Sequence, residues 1–115
     1  MSQHRLAEER SIALHRAVAA KLRAHPGLVE CARARTQAWY ASGCVHEEYV
    51  RAWQKLLSLP LEQLCLAITD ASERGRALRQ VSPFAGTLAA RERWAIHRSV
   101  SASGSADAAS AGSEP

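Results

Sequence analysis

Helix-breaking residues divide this chain into short segments, and within most segments the apolar residues recur every three or four positions. The breaks fall at residues 26–27, Gly43, Pro60 and residues 82–86. Spacings of three and four place apolar side chains on one face of an α-helix, whereas a half-buried strand needs strict alternation. No segment of the chain alternates in that way. The sequence therefore predicts an all-α fold, a small bundle of five to six short helices.

The predicted helices span residues 3–24, 26–42, 46–58, 61–68, 71–80 and 89–100. Gly43 lies where a left-handed residue commonly ends a helix, and Asp70 with Glu73 is typical of a capping pair. The third helix has the strongest amphipathic pattern, with a predicted inward face of Tyr49, Val50, Trp53, Leu56 and Leu57. In the second helix, Trp39 and Tyr40 are also predicted to face inward.

The last fifteen residues differ in composition from the rest of the chain. Their sequence, SASGSADAASAGSEP, contains no large apolar residue. Such a segment cannot bury enough apolar surface to offset the entropy lost on ordering. At 115 residues the chain has room for one domain. We therefore predict a helical domain over residues 1–100, followed by a disordered Ala/Ser/Gly-rich C-terminal tail over residues 101–115.

Cysteine content and the N-terminal sequence favour a reducing compartment. The chain has three cysteines, an odd number, with no Cys-x-x-Cys spacing, which argues against a disulfide framework. The first residues are polar and carry both charge signs, unlike a secretory signal. The longest apolar run, residues 64–68, is far shorter than the roughly 20 residues that cross a bilayer. We expect a soluble, cytoplasmic protein that does not contact a membrane.

Positive charge is concentrated around the turn SPFAG, residues 82–86. Residues 71–100 contain six arginines and two glutamates, and the formal net charge of the chain is +4. Clustered arginines can contact an acidic protein surface or phosphate. The aromatic ring of Phe84 is compatible with burial against the flanking helices and with exposure at an interface. The residues predicted to bind a partner are Arg74, Arg76, Arg79, Phe84, Arg91 and Arg93.

Two segments carry a resemblance to other proteins. They are ALRQVSPFAGTLAARERWAIHRSV, residues 77–100, and RSIALHRAVAAKL, residues 10–22. Together they resemble a group of small uncharacterised bacterial helical proteins with an SPFAG…ERW-like C-terminal segment. The resemblance implies a bacterial source and a self-contained domain, and no activity is attached to that group.

Two Arg–His pairs resemble the motif of the helical HEPN ribonucleases. They are Arg10 with His15 and Arg91 with His97. Positions five apart on a regular helix point about 140° away from each other, so Arg10 and His15 would not converge for catalysis. A chain with 13 arginines and five histidines also contains such pairs by chance. The ribonuclease function is therefore an alternative and not the main prediction.

The motifs for metal and nucleophilic chemistry are incomplete. His46 and Glu47 begin like the H-E-x-x-H zinc motif, but Val50 stands where the second histidine is required. Cys44 next to His46 lacks the partner spacing of a structural zinc site, and a loop cysteine is reactive only in an electropositive setting. We therefore predict no metal site, no cofactor and no catalytic residues.

A compact helical domain without a catalytic constellation is best interpreted as a binding protein. We predict non-enzymatic binding of a protein partner, as a small accessory or antitoxin-like bacterial protein. The first alternative is a helix-turn-helix-type regulator that binds nucleic acid, with residues 71–80 as recognition helix. A HEPN-like ribonuclease is the second. A homodimer is compatible with each function, because a core of this size is small.

Overall fold

The computed structural model describes the backbone of residues 3–113 and the side chains of residues 5–101. Its helices are α1 (Gln3–Ala24), α2 (Leu28–Ser42), α3 (Glu47–Leu57), α4 (Leu61–Ile68), α5 (Glu73–Arg79) and α6 (Ala90–Ser113). Residues 3–113 contain no strand. The predicted all-α fold and the six helices are therefore confirmed, with boundaries that differ by a few residues except at the C-terminal end of α6.

Helix α1 lies at the centre of the bundle and contacts α4, α5 and α6. Helix α6 runs antiparallel to α1, as two contacts show. Lys21 Nζ near the end of α1 donates to Glu92 Oε1 near the start of α6 at 2.8 Å. Arg10 Nη2, further towards the beginning of α1, donates to Ser101 Oγ at 3.3 Å. Helix α2 packs on α3, which also contacts α4 and α5.

Trp53 lies in the middle of the hydrophobic core and has no exposed surface. Its indole Nε1 donates to the carbonyl oxygen of Leu78 at 3.1 Å, so burying its polar atom leaves no unsatisfied donor. The ring of Phe84 meets it edge to face, with 5.8 Å between ring centroids. The predicted inward stripe of α3 is thus confirmed at Val50, Trp53 and Leu57, which are all buried.

Local geometry at the helix ends follows the sequence in most places. Gly43 adopts the predicted left-handed conformation, with φ of 69°, and its N–H donates to the Trp39 carbonyl oxygen at 2.9 Å. Helix α3 is capped by His46, whose Nδ1 accepts from the Glu48 N–H at 3.1 Å. An imidazole can replace the usual Ser or Asp cap because its unprotonated nitrogen is also a hydrogen-bond acceptor.

The start of α5 differs from the prediction. The N-cap is Ser72, whose Oγ accepts from the Gly75 N–H at 3.1 Å, and not Asp70. The Asp70 carboxylate instead accepts from the Ser72 hydroxyl at 2.6 Å and from the Ser72 N–H at 3.2 Å. A Cβ atom at position 75 would collide with the Asp70 carbonyl oxygen. Glycine therefore permits the close approach of α5 to the loop before it.

Two further sequence predictions concern the exposure of Tyr40 and the C-terminal residues 101–115. Tyr40 was predicted to face inward, but it is 60% exposed because α2 packs on α3 through Val29, Ala32 and Thr36. The backbone of α6 is helical to Ser113, beyond the predicted end at residue 100. The side chains of residues 102–115 lie outside the described part of the chain, so the disorder of the tail stays a prediction.

Candidate functional site

The six residues predicted to bind a partner do not share one surface. Arg74, Arg91 and Arg93 are exposed. Arg76 is partly exposed and its Nη1 lies 2.6 Å from Glu8 Oε1 on α1. The other two, Arg79 and Phe84, are buried, with 5% and 2% of their surface exposed. The structure therefore leaves four of the six positions open to a macromolecule.

Arg79 holds the loop between α4 and α5 in place. Its Nη1 donates to two backbone carbonyl oxygens, that of Ile68 at 3.3 Å and that of Asp70 at 2.5 Å. Burial lowers the pKa of the Arg79 guanidinium below its usual value, although the side chain keeps its charge at neutral pH. Arg79 was predicted to bind a partner, but the structure buries its side chain, because helical periodicity does not show which arginine points inward.

The sequence allowed the Phe84 ring to be either buried or exposed at an interface, and the structure shows that it is buried. Its ring packs against Trp53 in the core, at an interplanar angle of 76°. The turn of residues 82–86 is therefore fastened to the bundle by this side chain. A contact between Phe84 and a partner would require the turn to detach.

A cleft of about 390 Å³ lies between α1, the end of α5 and this turn. On one side His15 hydrogen-bonds through Nε2 to the hydroxyl of Ser82, over 2.8 Å. Arg79 and Arg93 also line the cleft, and Arg93 Nη1 donates to the Ala85 carbonyl oxygen at 2.9 Å. Sequence reasoning missed this cleft, since its walls come from segments more than 60 positions apart, and no local pattern joins them.

The tautomer of His15 follows from its partners. Nδ1 lies 2.8 Å from the carbonyl oxygen of Ser11, which can only accept, so Nδ1 carries the proton. Nε2 of the neutral ring then accepts from the Ser82 hydroxyl. The Ser82 oxygen in turn accepts from the Phe84 N–H at 3.1 Å. The hydroxyl thus links α1 to the turn, and burial lowers the pKa of His15 below its ordinary value of 6.5.

The lowered pKa of His15 predicts a loss of stability in acid. The unfolded chain binds a proton at about the ordinary pKa of 6.5, whereas folded His15 resists protonation. Its stabilising contribution is therefore complete above pH 6.5 and is lost as the pH falls from there to the folded pKa, at up to about 1.4 kcal/mol per pH unit. The free energy of unfolding, measured with urea at several pH values between 7.5 and 5, should therefore fall less steeply with decreasing pH in His15→Gln than in wild type. The control, His25→Gln at an exposed histidine, should keep the wild-type slope, and equal slopes in all three proteins would contradict the prediction.

The outer face of α6, defined here as Arg91, Trp94, Ala95 and Arg98, consists of exposed residues. These positions are spaced i, i+3, i+4 and i+7, so they share one side of the helix. Trp94 is 60% exposed and stacks on the ring of His97, with 5.5 Å between centroids and 19° between planes. The sequence places Trp94 next to the inward-facing Ile96, and only the packing of α6 on α1 shows that it points outward.

Neither ribonuclease-like pair is brought together around a common centre. His15 bonds to Ser11 and Ser82, while Arg10 bonds to Ser101. In the second pair, His97 stacks on Trp94, whereas Arg91 is exposed. The contacts described for these two histidines thus involve other residues and not the arginine of the motif.

Metal-ligating and thiol groups are dispersed. Among the described residues there is no group of three or more His, Cys, Asp or Glu side chains that could hold a metal ion. Cys31 and Cys44 are exposed free thiols, whereas Cys65 is buried, and burial raises the pKa of its thiol. Within the same described residues, no helix is long and apolar enough to pass through a lipid bilayer.

Comparison with known proteins found no relative of this chain. No protein-family model, curated protein or solved structure matches the chain.

Proposed function

We propose that the protein binds a partner protein through the outer face of α6. The observation that supports this most strongly is the exposure of Trp94, of which 60% is open to solvent while Trp53 has no exposed surface. A large aromatic side chain left in water gives up the apolar burial that would stabilise the fold. Tryptophan and arginine are also the residues most enriched among those that dominate binding energy at protein interfaces.

The charges around Trp94 indicate the chemistry of the partner. Arg91 and Arg98 lie one helical turn before and after it, and the ion pairs found within residues 5–101 include neither of them. Guanidinium groups without a carboxylate partner can bind carboxylates of another chain in a bidentate manner. The partner is therefore expected to present acidic side chains around an apolar group that covers the indole.

The predicted partner-binding residues contribute unequally to this proposal. Arg91 belongs to the outer face of α6, and Arg93 borders it. Arg74 and Arg76 lie on α5 and would form a separate contact, which the variants below distinguish. An accessory or antitoxin-like protein of a bacterial two-gene system remains one concrete form of the proposed function, resting on general analogy and not on any residue.

Nucleic-acid binding through a helix-turn-helix has less support. The proposed recognition helix, α5, contacts α1, α3 and α4. It buries Gly75, Leu78 and Arg79 and is only seven residues long. A recognition helix needs one free face with several side chains that reach base edges. An exposed indole between arginines could also stack on single-stranded bases, so nucleic acid is included as an outcome of the test.

The experiment begins with site-specific crosslinking in the source cells. A photo-reactive amino acid is placed at Ala95, on the outer face of α6, and in a second protein at Gln54, which is exposed on α3. We expect a protein that crosslinks from position 95 and not from position 54. The crosslinked product should survive nuclease treatment and should disappear when Trp94 is also replaced by alanine.

The affinity of single variants for the purified partner then measures how much each residue contributes to binding. Trp94→Ala should weaken binding by about 30-fold, the equivalent of roughly 2 kcal/mol for a central aromatic residue. Tyr40→Ala is the matched control, because Tyr40 has the same 60% exposure on another helix. Arg91→Glu and Arg98→Glu should each weaken binding, while Arg74→Glu should not. Crosslinking to nucleic acid or to a second copy of the chain, or equal effects of Trp94→Ala and Tyr40→Ala, would contradict the proposal.

A further inference from the structure

A buried arginine, Arg79, forms part of the wall of the cleft between α1 and the turn. Only 5% of the surface of Arg79 is exposed. Its Nε is a buried atom with no hydrogen-bond partner among the described residues. Its Nη1 bonds only to backbone carbonyl oxygens, those of Ile68 and Asp70. A buried N–H left without an acceptor destabilises the fold, and a negative charge bound next to Arg79 in the cleft would offset part of that cost.

The carboxylates near Arg79 are already engaged. Asp70 accepts hydrogen bonds from the hydroxyl and the N–H of Ser72. Glu8 forms its ion pair with Arg76. The residues that line the cleft include a second arginine, Arg93, and no aspartate or glutamate. Asp70 and Glu8 offset part of the charge of Arg79 from outside the cleft, but the cleft itself is lined by two arginines and by no carboxylate.

The remaining walls of the cleft are mostly apolar. Leu14 and Val18 come from α1, while Phe84 and Leu88 come from the turn and the segment that follows it. A volume of about 390 Å³ is at the lower end of the range typical of small-molecule sites and too small for a folded segment. Apolar walls with one or two fixed cations suit a ligand that has a single anionic group on an apolar body.

We propose that this cleft binds a small carboxylate with an apolar body, such as an aliphatic or aromatic monocarboxylic acid. The carboxylate accepts from the Arg93 guanidinium and lies beside the buried charge of Arg79, and the apolar part contacts Leu14, Val18 and Leu88. Ser82 lies at the same wall, with its hydroxyl held by His15. A carboxylate fits these donors better than free phosphate, because phosphate carries more charge into the site and has no group for the apolar walls. Arg93 borders the outer face of α6, but the cleft contains none of the four residues of that face, so its ligand is proposed separately from the partner protein.

The test follows the Nε–H proton of Arg79 directly by ¹⁵N-edited NMR of the wild-type protein. Octanoate is the probe, with 1-octanol, which lacks the charge, and inorganic phosphate, which lacks the apolar body, as matched comparisons. We expect saturable movement of the Arg79 Nε–H resonance and of the Leu88 methyl resonances with octanoate, at a Kd of about 1 mM or below. Neither octanol nor phosphate should move the Arg79 resonance at the same concentrations.

Variants separate this cleft from non-specific binding. Arg93→Gln should raise the Kd for octanoate at least about 5-fold, since the exposed Arg93 can be changed without removing a buried charge. Arg74→Gln, an exposed arginine outside the cleft, should leave the Kd unchanged. The proposal is wrong if octanoate leaves the Arg79 resonance in place, if phosphate binds equally well, or if both variants bind like wild type.

Discussion

Replacing Trp53 by alanine is expected to cause a large loss of stability, detectable as a much lower urea midpoint of unfolding. The indole has no exposed surface and meets the Phe84 ring edge to face at 5.8 Å. Truncation of a buried tryptophan costs about 3 to 5 kcal/mol, which approaches the whole stability of a small domain. The loss has two parts, a cavity in the core and the Leu78 carbonyl oxygen left without its indole donor.

Urea unfolding followed by far-UV circular dichroism measures this loss. Trp94→Ala is the matched control, because it removes the same side chain from an exposed position and should change stability by less than about 0.5 kcal/mol. The stability of Trp53→Phe should lie between the stabilities of Trp53→Ala and Trp94→Ala. The smaller ring fills part of the cavity, but it cannot donate a hydrogen bond to the Leu78 carbonyl oxygen. A similar loss of stability in Trp53→Ala and Trp94→Ala would contradict the assignment of Trp53 to the centre of the core.

Arg79→Glu is expected to destabilise the fold by a similar amount. The substitution places a carboxylate where the guanidinium now donates to the carbonyl oxygens of Ile68 and Asp70. Three acceptors would then face each other without a donor, and a buried, uncompensated charge costs roughly 3 to 5 kcal/mol. At an exposed arginine of a binding surface, the same substitution would instead weaken binding and leave the stability of the fold nearly unchanged.

The control lies on the same helix. Arg74→Glu changes the charge by the same amount at an exposed position of α5, so its stability should stay within about 0.5 kcal/mol of wild type. Thermal unfolding of both variants at one pH and salt concentration gives the comparison. A folded Arg79→Glu protein with wild-type stability would show that Arg79 does not hold the loop between α4 and α5.

The sequence predicted features that depend on neighbours within one or two helical turns. The six helices belong to this class, because apolar spacing and helix-breaking residues act locally. So does Gly43, whose left-handed conformation follows from its place after the last turn of α2. The cap of α5 is also a local feature, but it was predicted as Asp70, whereas the structure uses Ser72, another good capping residue two positions later.

The candidate sites could not be predicted in the same way. Periodicity identifies the apolar side of a helix, but it does not say which other helix covers that side. Arg79 and Arg74 look alike in the sequence, yet one is buried and the other exposed. Tyr40 was predicted to face inward with the apolar residues around it, although the packing of α2 leaves it exposed, and only the packing of α6 shows that Trp94 is exposed.

The sequence by itself therefore determined that the chain is helical, where its first five helices run and that Trp53 lies in the core. Only the tertiary structure decided which arginines are buried, that Phe84 faces the core, and that His15 and Ser82 meet at 2.8 Å although 67 positions separate them. The physical reason is the range of the forces involved. Helix formation depends on side chains a few positions apart, whereas burial and cleft formation depend on packing among helices that no local pattern specifies.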